Sequence, residues 1–284
     1  FAHLEEDGFD AADGGGVTGN LTDEAYFGLK GDFGTVQFGR NDAIYGDLIS
    51  GHFNYQEVNA PTAFDPTREG VFQFLSSDMN GFSIALEAEV SGDADEEVNG
   101  SVIRNNFNPS NTSDFNGNEA DAVSLAAAAS YSMDALTLTA AVDQRGNDAG
   151  NIVGSIAPAT INANLDPSNF YADSPILGLK ASLDLNELVL SAGYQQAEEQ
   201  IFQNSVDIDI ASLDAQYFVG LGKLYGTYNV VDVSSNSVVD DTFDEVVVGG
   251  KYGVGQIYGF VEYAQYDRTQ DRDDAVSVGG GYNF

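Results

Sequence analysis

Few side chains in this 284-residue chain can do chemistry. Cysteine is absent, and the two histidines, His3 and His52, stand far apart in the sequence. That leaves no disulfide and no thiolate metal site, and it gives no zinc or Ser-His-Asp grouping. Carboxylates are abundant: 45 Asp plus Glu face 10 Lys plus Arg, a formal net charge of −35. In so acidic a chain a pair of carboxylates is no catalytic signal, so the sequence reads as a non-enzyme with no cofactor and no bound metal. Nucleic acid is excluded as a partner, because phosphate contacts need clustered Lys and Arg. The acid-rich stretches SGDADEEVNG (91–100) and YDRTQDRDDA (266–275) lack the glycine placement of an EF-hand loop and read as solvated surface. What stands out is where a scarce cation falls. FGLKGDFGTVQFGR (27–40) reads as two short strands around a Gly-Asp-Phe-Gly turn, and it ends on Arg40, where a long irregular segment begins.

The elements that must hold such residues alternate strictly. In DAVSLAAAASYSM, Val123, Leu125, Ala127, Ala129 and Tyr131 fall on one face. ALTLTAAVDQR sets Leu136, Leu138, Ala140 and Val142 against Thr137, Thr139, Ala141 and Asp143. ILGLKASLDL and DEVVVGGKYGV repeat the scheme. Period two over such lengths means strands with one apolar and one polar face. No helical pattern exceeds two turns, and no run of about 18 apolar residues marks a membrane helix.

Charge parity decides between a soluble sandwich and a membrane barrel. A Lys or Arg against lipid at mid-bilayer costs roughly 2–4 kcal/mol, so charges must keep off any lipid-facing file. Lys30, Lys180, Lys251, Glu87, Glu89, Asp143 and Asp184 all share the polar file. Aromatic residues such as Tyr131, Tyr194 and Tyr252 fall near strand ends of the apolar file, where membrane interfaces would lie. Tight connections (30–35, 77–81, 133–135, 185–187, 220–223, 253–256) alternate with long polar ones (10–23, 41–69, 92–120, 146–174, 197–205, 232–242, 267–274). That sorting, small turns on one rim and large loops on the other, predicts an all-β fold: one antiparallel transmembrane β-barrel domain over 1–284.

The letters add a family. AYFGLKGDFGTVQFGR resembles the hairpin that precedes the constriction loop in general diffusion porins of Gram-negative bacteria. TREGVFQF is similar to the start of the strand after that loop, and the terminal AVSVGGGYNF resembles their closing strand with its carboxy-terminal aromatic residue. The resemblance implies 16 antiparallel strands, a homotrimer, and a location in the cell outer membrane among lipid and lipopolysaccharide. About 14 strands are visible by pattern, with FAHLEEDGF resembling the tail of the family's third strand. The expectation is therefore roughly 40–60 further residues ahead of Phe1; a smaller, 14-stranded barrel is the alternative.

The resemblance also implies a site. The segment 41–67 takes the place of the loop folded back into the pore, although the enteric-type Pro-Glu-Phe-Gly-Gly tip is not present and NAPTAFD is its nearest analogue. Arg40 and Arg68 fall where basic residues of the pore wall stand, with Lys30 a further candidate. Asp65, Glu57 and Asp47 are the acids expected to face them from the loop. Tyr45, Phe53 and Tyr55 are expected to pack the loop against the wall. Charges set across a watery constriction select solutes by size and charge without a chemical step. With acids dominant, the expected activity is a cation-preferring channel for ions and small hydrophilic solutes. A solute-specific channel and a plugged structural or adhesin barrel are the alternatives. An aromatic lining would favour the former, but Tyr225, Phe260 and Tyr266 are too scattered along the sequence to mark one.

Overall fold

The computed structural model describes residues 2–6, 22–50, 64, 67–89, 125–144, 170–171, 175–201, 204–235, 240–266 and 274–282. Among these described residues, fifteen antiparallel strands form one sheet. They are β1 (Ala2–Glu6), β2 (Thr22–Gly31), β3 (Gly34–Asp42), β4 (Thr67–Ser76), β5 (Phe82–Glu89), β6 (Leu125–Met133), β7 (Leu136–Gln144) and β8 (Phe170–Tyr171). There follow β9 (Ile176–Asp184), β10 (Leu188–Ile201), β11 (Asn204–Val219), β12 (Gly222–Ser235), β13 (Asp240–Val254), β14 (Ile257–Tyr266) and β15 (Ala275–Tyr282). Fourteen of them follow one another in sequence order across the sheet; the two-residue β8 pairs with the end of β10 instead. A short π-helical turn, Gly46–Ser50, lies between β3 and β4. No helix among the described residues is long and apolar enough to cross a membrane, and the strands do the crossing.

Burial is inverted relative to a water-soluble sheet. Large apolar side chains lie outside: Val278 is 78% exposed, Leu224 56% and Val261 51%. Carboxylates lie inside: Asp143, Glu245 and Glu262 are fully buried. A sheet can hold this arrangement only where its outer solvent is hydrocarbon, because backbone groups are paired strand to strand and the apolar file meets lipid. Outside, Phe27, Phe38 and Phe72 form one cross-strand row, with the first two rings edge to face at 5.8 Å. All four lysines keep to the inner file, as parity requires. The tight turns fall where the sequence puts them, and Asp134 and Asn186 supply positive φ in two of them.

Two expected loops are instead strand. The stretches 197–205 and 232–242 are largely taken up by β10, β11, β12 and β13, which run 14 to 16 residues each. Polarity flips along these extensions. Ala197, Val206, Ile208, Ile210, Val231, Val233 and Phe243 turn inward and are buried, while Glu198, Asp207, Asp232 and Asp244 take the outer file. The inward set packs on Ile44, Tyr45, Ile49, Phe64 and Ile176, one continuous apolar cluster. The strands therefore continue past the lipid-facing band because they have a second apolar surface to cover inside the barrel.

Candidate channel constriction

That second surface is the chain itself. After β3 the backbone turns into the barrel, and residues 44–50 reach β5, β7, β9 and β10 from within. The Ile44 amide donates to Glu87 Oε2 at 2.9 Å, and the Tyr45 hydroxyl donates to the Leu177 carbonyl at 3.1 Å. The Ser50 hydroxyl stands 2.8 Å from both Gln195 Oε1 and the Phe64 carbonyl, and donates to one of them at a time. Space for this docking comes from Gly178: a Cβ there would stand 2.5 Å from Tyr45 Oη and 2.6 Å from Ile49 Cγ2. At the root of the segment a polar relay fixes the backbone. Gln37 and Asn41 donate to Gln73 Oε1, and Gln73 Nε2 donates to the Asp42 carbonyl and to Glu87 Oε2. Glu87 Oε2 thus accepts from two N–H donors, the usual way a buried carboxyl group is tolerated.

The site residues expected from sequence fall as follows. Tyr45 is fully buried in the inserted segment, and Asp47 lies on the same segment with its side chain exposed. Arg40 is half-buried at a break in the strand register. Simple alternation would place it in the outer file with Val36 and Phe38. Gly39 faces Val71 and Asn41 faces Arg68, so Glu69 and Gly70 together stand opposite Arg40. Gly39 at φ +148° and Gly70 at φ +61° supply the backbone for that bulge, and a Cβ at Gly39 would lie 2.2 Å from the Ala25 carbonyl oxygen. Bulges re-aim the side chain they carry. Arg68 is described by its backbone, in register with Asn41. Lys30 keeps to the inner file but stands exposed beside the tight turn, paired with Thr35. Five residues separate it from Ala25, the partner of Arg40, which is about 17 Å of strand. Glu57 and Asp65, with Phe53 and Tyr55, lie outside the described residues. Sequence reasoning put Glu87 on the polar face but missed its role as the anchor of Ile44; a buried acid opposite Gln73 is a tertiary pairing with no local signal.

Lipid-facing outer file, polar inner file and a chain segment narrowing the space between them define a transmembrane β-barrel of the channel-forming kind. The whole chain matches the family model of Gram-negative porins, in two overlapping pieces covering residues 1–172 and 154–284. The chain belongs to that family, and its place is the outer membrane. Two curated relatives are each 25% identical over 317 residues, covering all of this chain and 78% of the relative. They are a monosaccharide porin of a Halomonas species and a major outer membrane protein of Halomonas elongata. Among solved structures, a loop-deletion variant of OmpT, an outer membrane protein of Vibrio cholerae, superposes with a TM-score of 0.63 at 15% identity. The match covers 92% of this chain and 79% of that one, and it supports the barrel fold.

Proposed function

We propose that this porin forms a water-filled, cation-preferring channel for passive diffusion of small hydrophilic solutes, assembled as a homotrimer among outer-membrane lipid and lipopolysaccharide. The observation that carries the reading is the segment 44–50 docked on the inner wall of the barrel, where a chain segment would narrow a passage. In this reading 41–67 is the constriction loop. Arg40, re-aimed by the bulge, stands with Arg68 on the wall, Asp47, Glu57 and Asp65 face them, and Lys30 guards the turn-side mouth. Opposite charges 4 Å apart interact by about 4 kcal/mol at an effective dielectric of 20, enough to orient water and dipolar solutes. The excess of acids supports the cation preference.

Reversal potentials across a potassium chloride gradient test it. The expected sign is that of potassium permeating faster than chloride, with Arg40→Gln plus Arg68→Gln raising the ratio by about two-fold or more. An anion-type potential refutes the preference; an unchanged ratio removes both arginines from the constriction. No conductance at all would favour a plugged barrel. A second reading, a channel selective for sugars, is supported by the name of the Halomonas relative.

A further inference from the structure

Register brings together inner-wall residues that the sequence keeps apart. Across β11 to β15 one row reads Gln216, Tyr225, Gly249, Glu262, Ser277, and the next, nearer the tight turns, reads Lys223, Lys251, Phe260, Gly279. Tyr258 and Gly281 pair one row further on. Each ring in this patch lies over a glycine of the neighbouring strand. A Cβ at Gly249 would come within 2.6 Å of the Tyr225 ring, one at Gly279 within 2.5 Å of Phe260, and one at Gly281 within 2.6 Å of Tyr258. Three glycines thus let three rings lie against the inner wall instead of standing into the lumen.

Polar groups frame the rings. The Tyr225 hydroxyl crosses Gly249 and donates to Glu262 Oε1 at 2.8 Å. Lys223 Nζ donates to Gln216 Oε1 at 2.8 Å and lies 5.2 Å from the Tyr225 ring centre, and Lys251 Nζ lies 3.7 Å from that of Tyr258. Lys223 and Lys251 face each other directly, an arrangement of like charges that costs stability in a sheet. Lys223, Lys251, Tyr258 and Phe260 are half-buried, so all four keep surface toward the lumen.

We propose that this patch is a binding subsite for a single saccharide ring on the turn side of the constriction, an inference that rests on the channel reading. A pyranose has a face of C–H bonds and a rim of hydroxyls. The C–H face suits the electron-rich face of Phe260. The hydroxyls suit the ammonium donors of Lys223 and Lys251 and the half-buried hydroxyls of Tyr258 and Ser277, which can accept as well as donate, while Gln216 and Glu262 are buried behind them. The patch supplies donors and acceptors together, which matches a neutral polyhydroxylated solute better than a simple ion. Flat rings on a wall also leave the passage open, so binding and passage are compatible.

The test uses the protein reconstituted in planar bilayers, with D-glucose as probe and glycerol as a solute lacking the ring. Current noise in the wild type should saturate with glucose and not with glycerol. Phe260→Ala should weaken glucose binding about tenfold while potassium chloride conductance and resistance to heat denaturation stay at the wild-type level, which a purely structural ring would not allow. Lys251→Gln, a second variant should Phe260→Ala fail to insert, should weaken glucose binding several-fold. Channel events with no saturable glucose signal, or with glucose binding intact in both variants, would overturn the subsite alone. Absence of channel events in potassium chloride would overturn the channel reading and the subsite with it.

Discussion

At the scale of single residues, the docking of the inserted segment depends on absent atoms as much as on present ones. Gly178 sits in ILGLKASLDL, where alternation makes it one more inner-file position, and nothing nearby in sequence says that a tyrosine from residue 45 will rest on it. Tyr45 and Ile49 both come closer to that Cα than any side chain would permit. Gly178→Val therefore forces the inserted segment off the β9 wall. Overpacking of this kind costs about 1–3 kcal/mol and falls on the contact between Tyr45, Ile49 and the β9 wall. The expected outcome is a barrel of lowered heat stability with larger or fluctuating single-channel conductance; a conductance identical to wild type would show that docking does not set the passage. Tyr45→Phe removes the bond to the Leu177 carbonyl and keeps the ring, and its effect should be the smaller of the two.

At the scale of elements, the strands carry two messages of opposite polarity. Over the lipid-facing band the outer file is apolar and the inner file polar, as in Leu213 beside Ser212 and Asp214 on β11. Leu213→Lys should destabilise the folded barrel by about 2–4 kcal/mol, whereas Ser182→Lys, at a half-buried position of the inner file, should cost less. Urea unfolding of the two variants in lipid vesicles checks the difference, and equal losses would mean that this face does not meet hydrocarbon. This level of the fold was legible from the sequence because lipid and lumen each impose their sign on every second residue. The extensions of β10 to β13 were not. Ile208, Ile210, Val231 and Val233 face inward because Ile44, Tyr45 and Phe64 lie inside the barrel, and that neighbour arrives from elsewhere in the chain. The break in period at Arg40 has a related cause: Gly39 and Gly70 form a bulge there, which strict alternation does not foresee. The ring patch was hidden too, since Tyr225 and Phe260 are joined only through the register of β12 to β14.

At the scale of the whole molecule, net charge and local charge are separate quantities. Asp143, Glu245 and Glu262 are buried in the wall. Asp214 accepts from Thr227 at 2.6 Å and from Ser191 at 3.2 Å, which commits its oxygens to the barrel rather than to passing ions. The lysines of the inner file remain half-buried or exposed. A net charge of −35 therefore acts on solutes mainly as a field summed over the mouth and surface, not as a file of acids along the wall. Such a field is screened over about 30 Å at 0.01 M salt, about 10 Å at 0.1 M and about 3 Å at 1 M. If the summed field makes the channel prefer cations as proposed, the potassium-to-chloride permeability ratio should be highest at 0.01 M and fall toward the ratio of the bulk mobilities at 1 M. Reversal potentials at a fixed gradient across that range measure it. A ratio independent of salt would instead locate the selectivity in close charge contacts at the constriction, where neutralising Arg40 and Arg68 would have its full effect at every salt concentration.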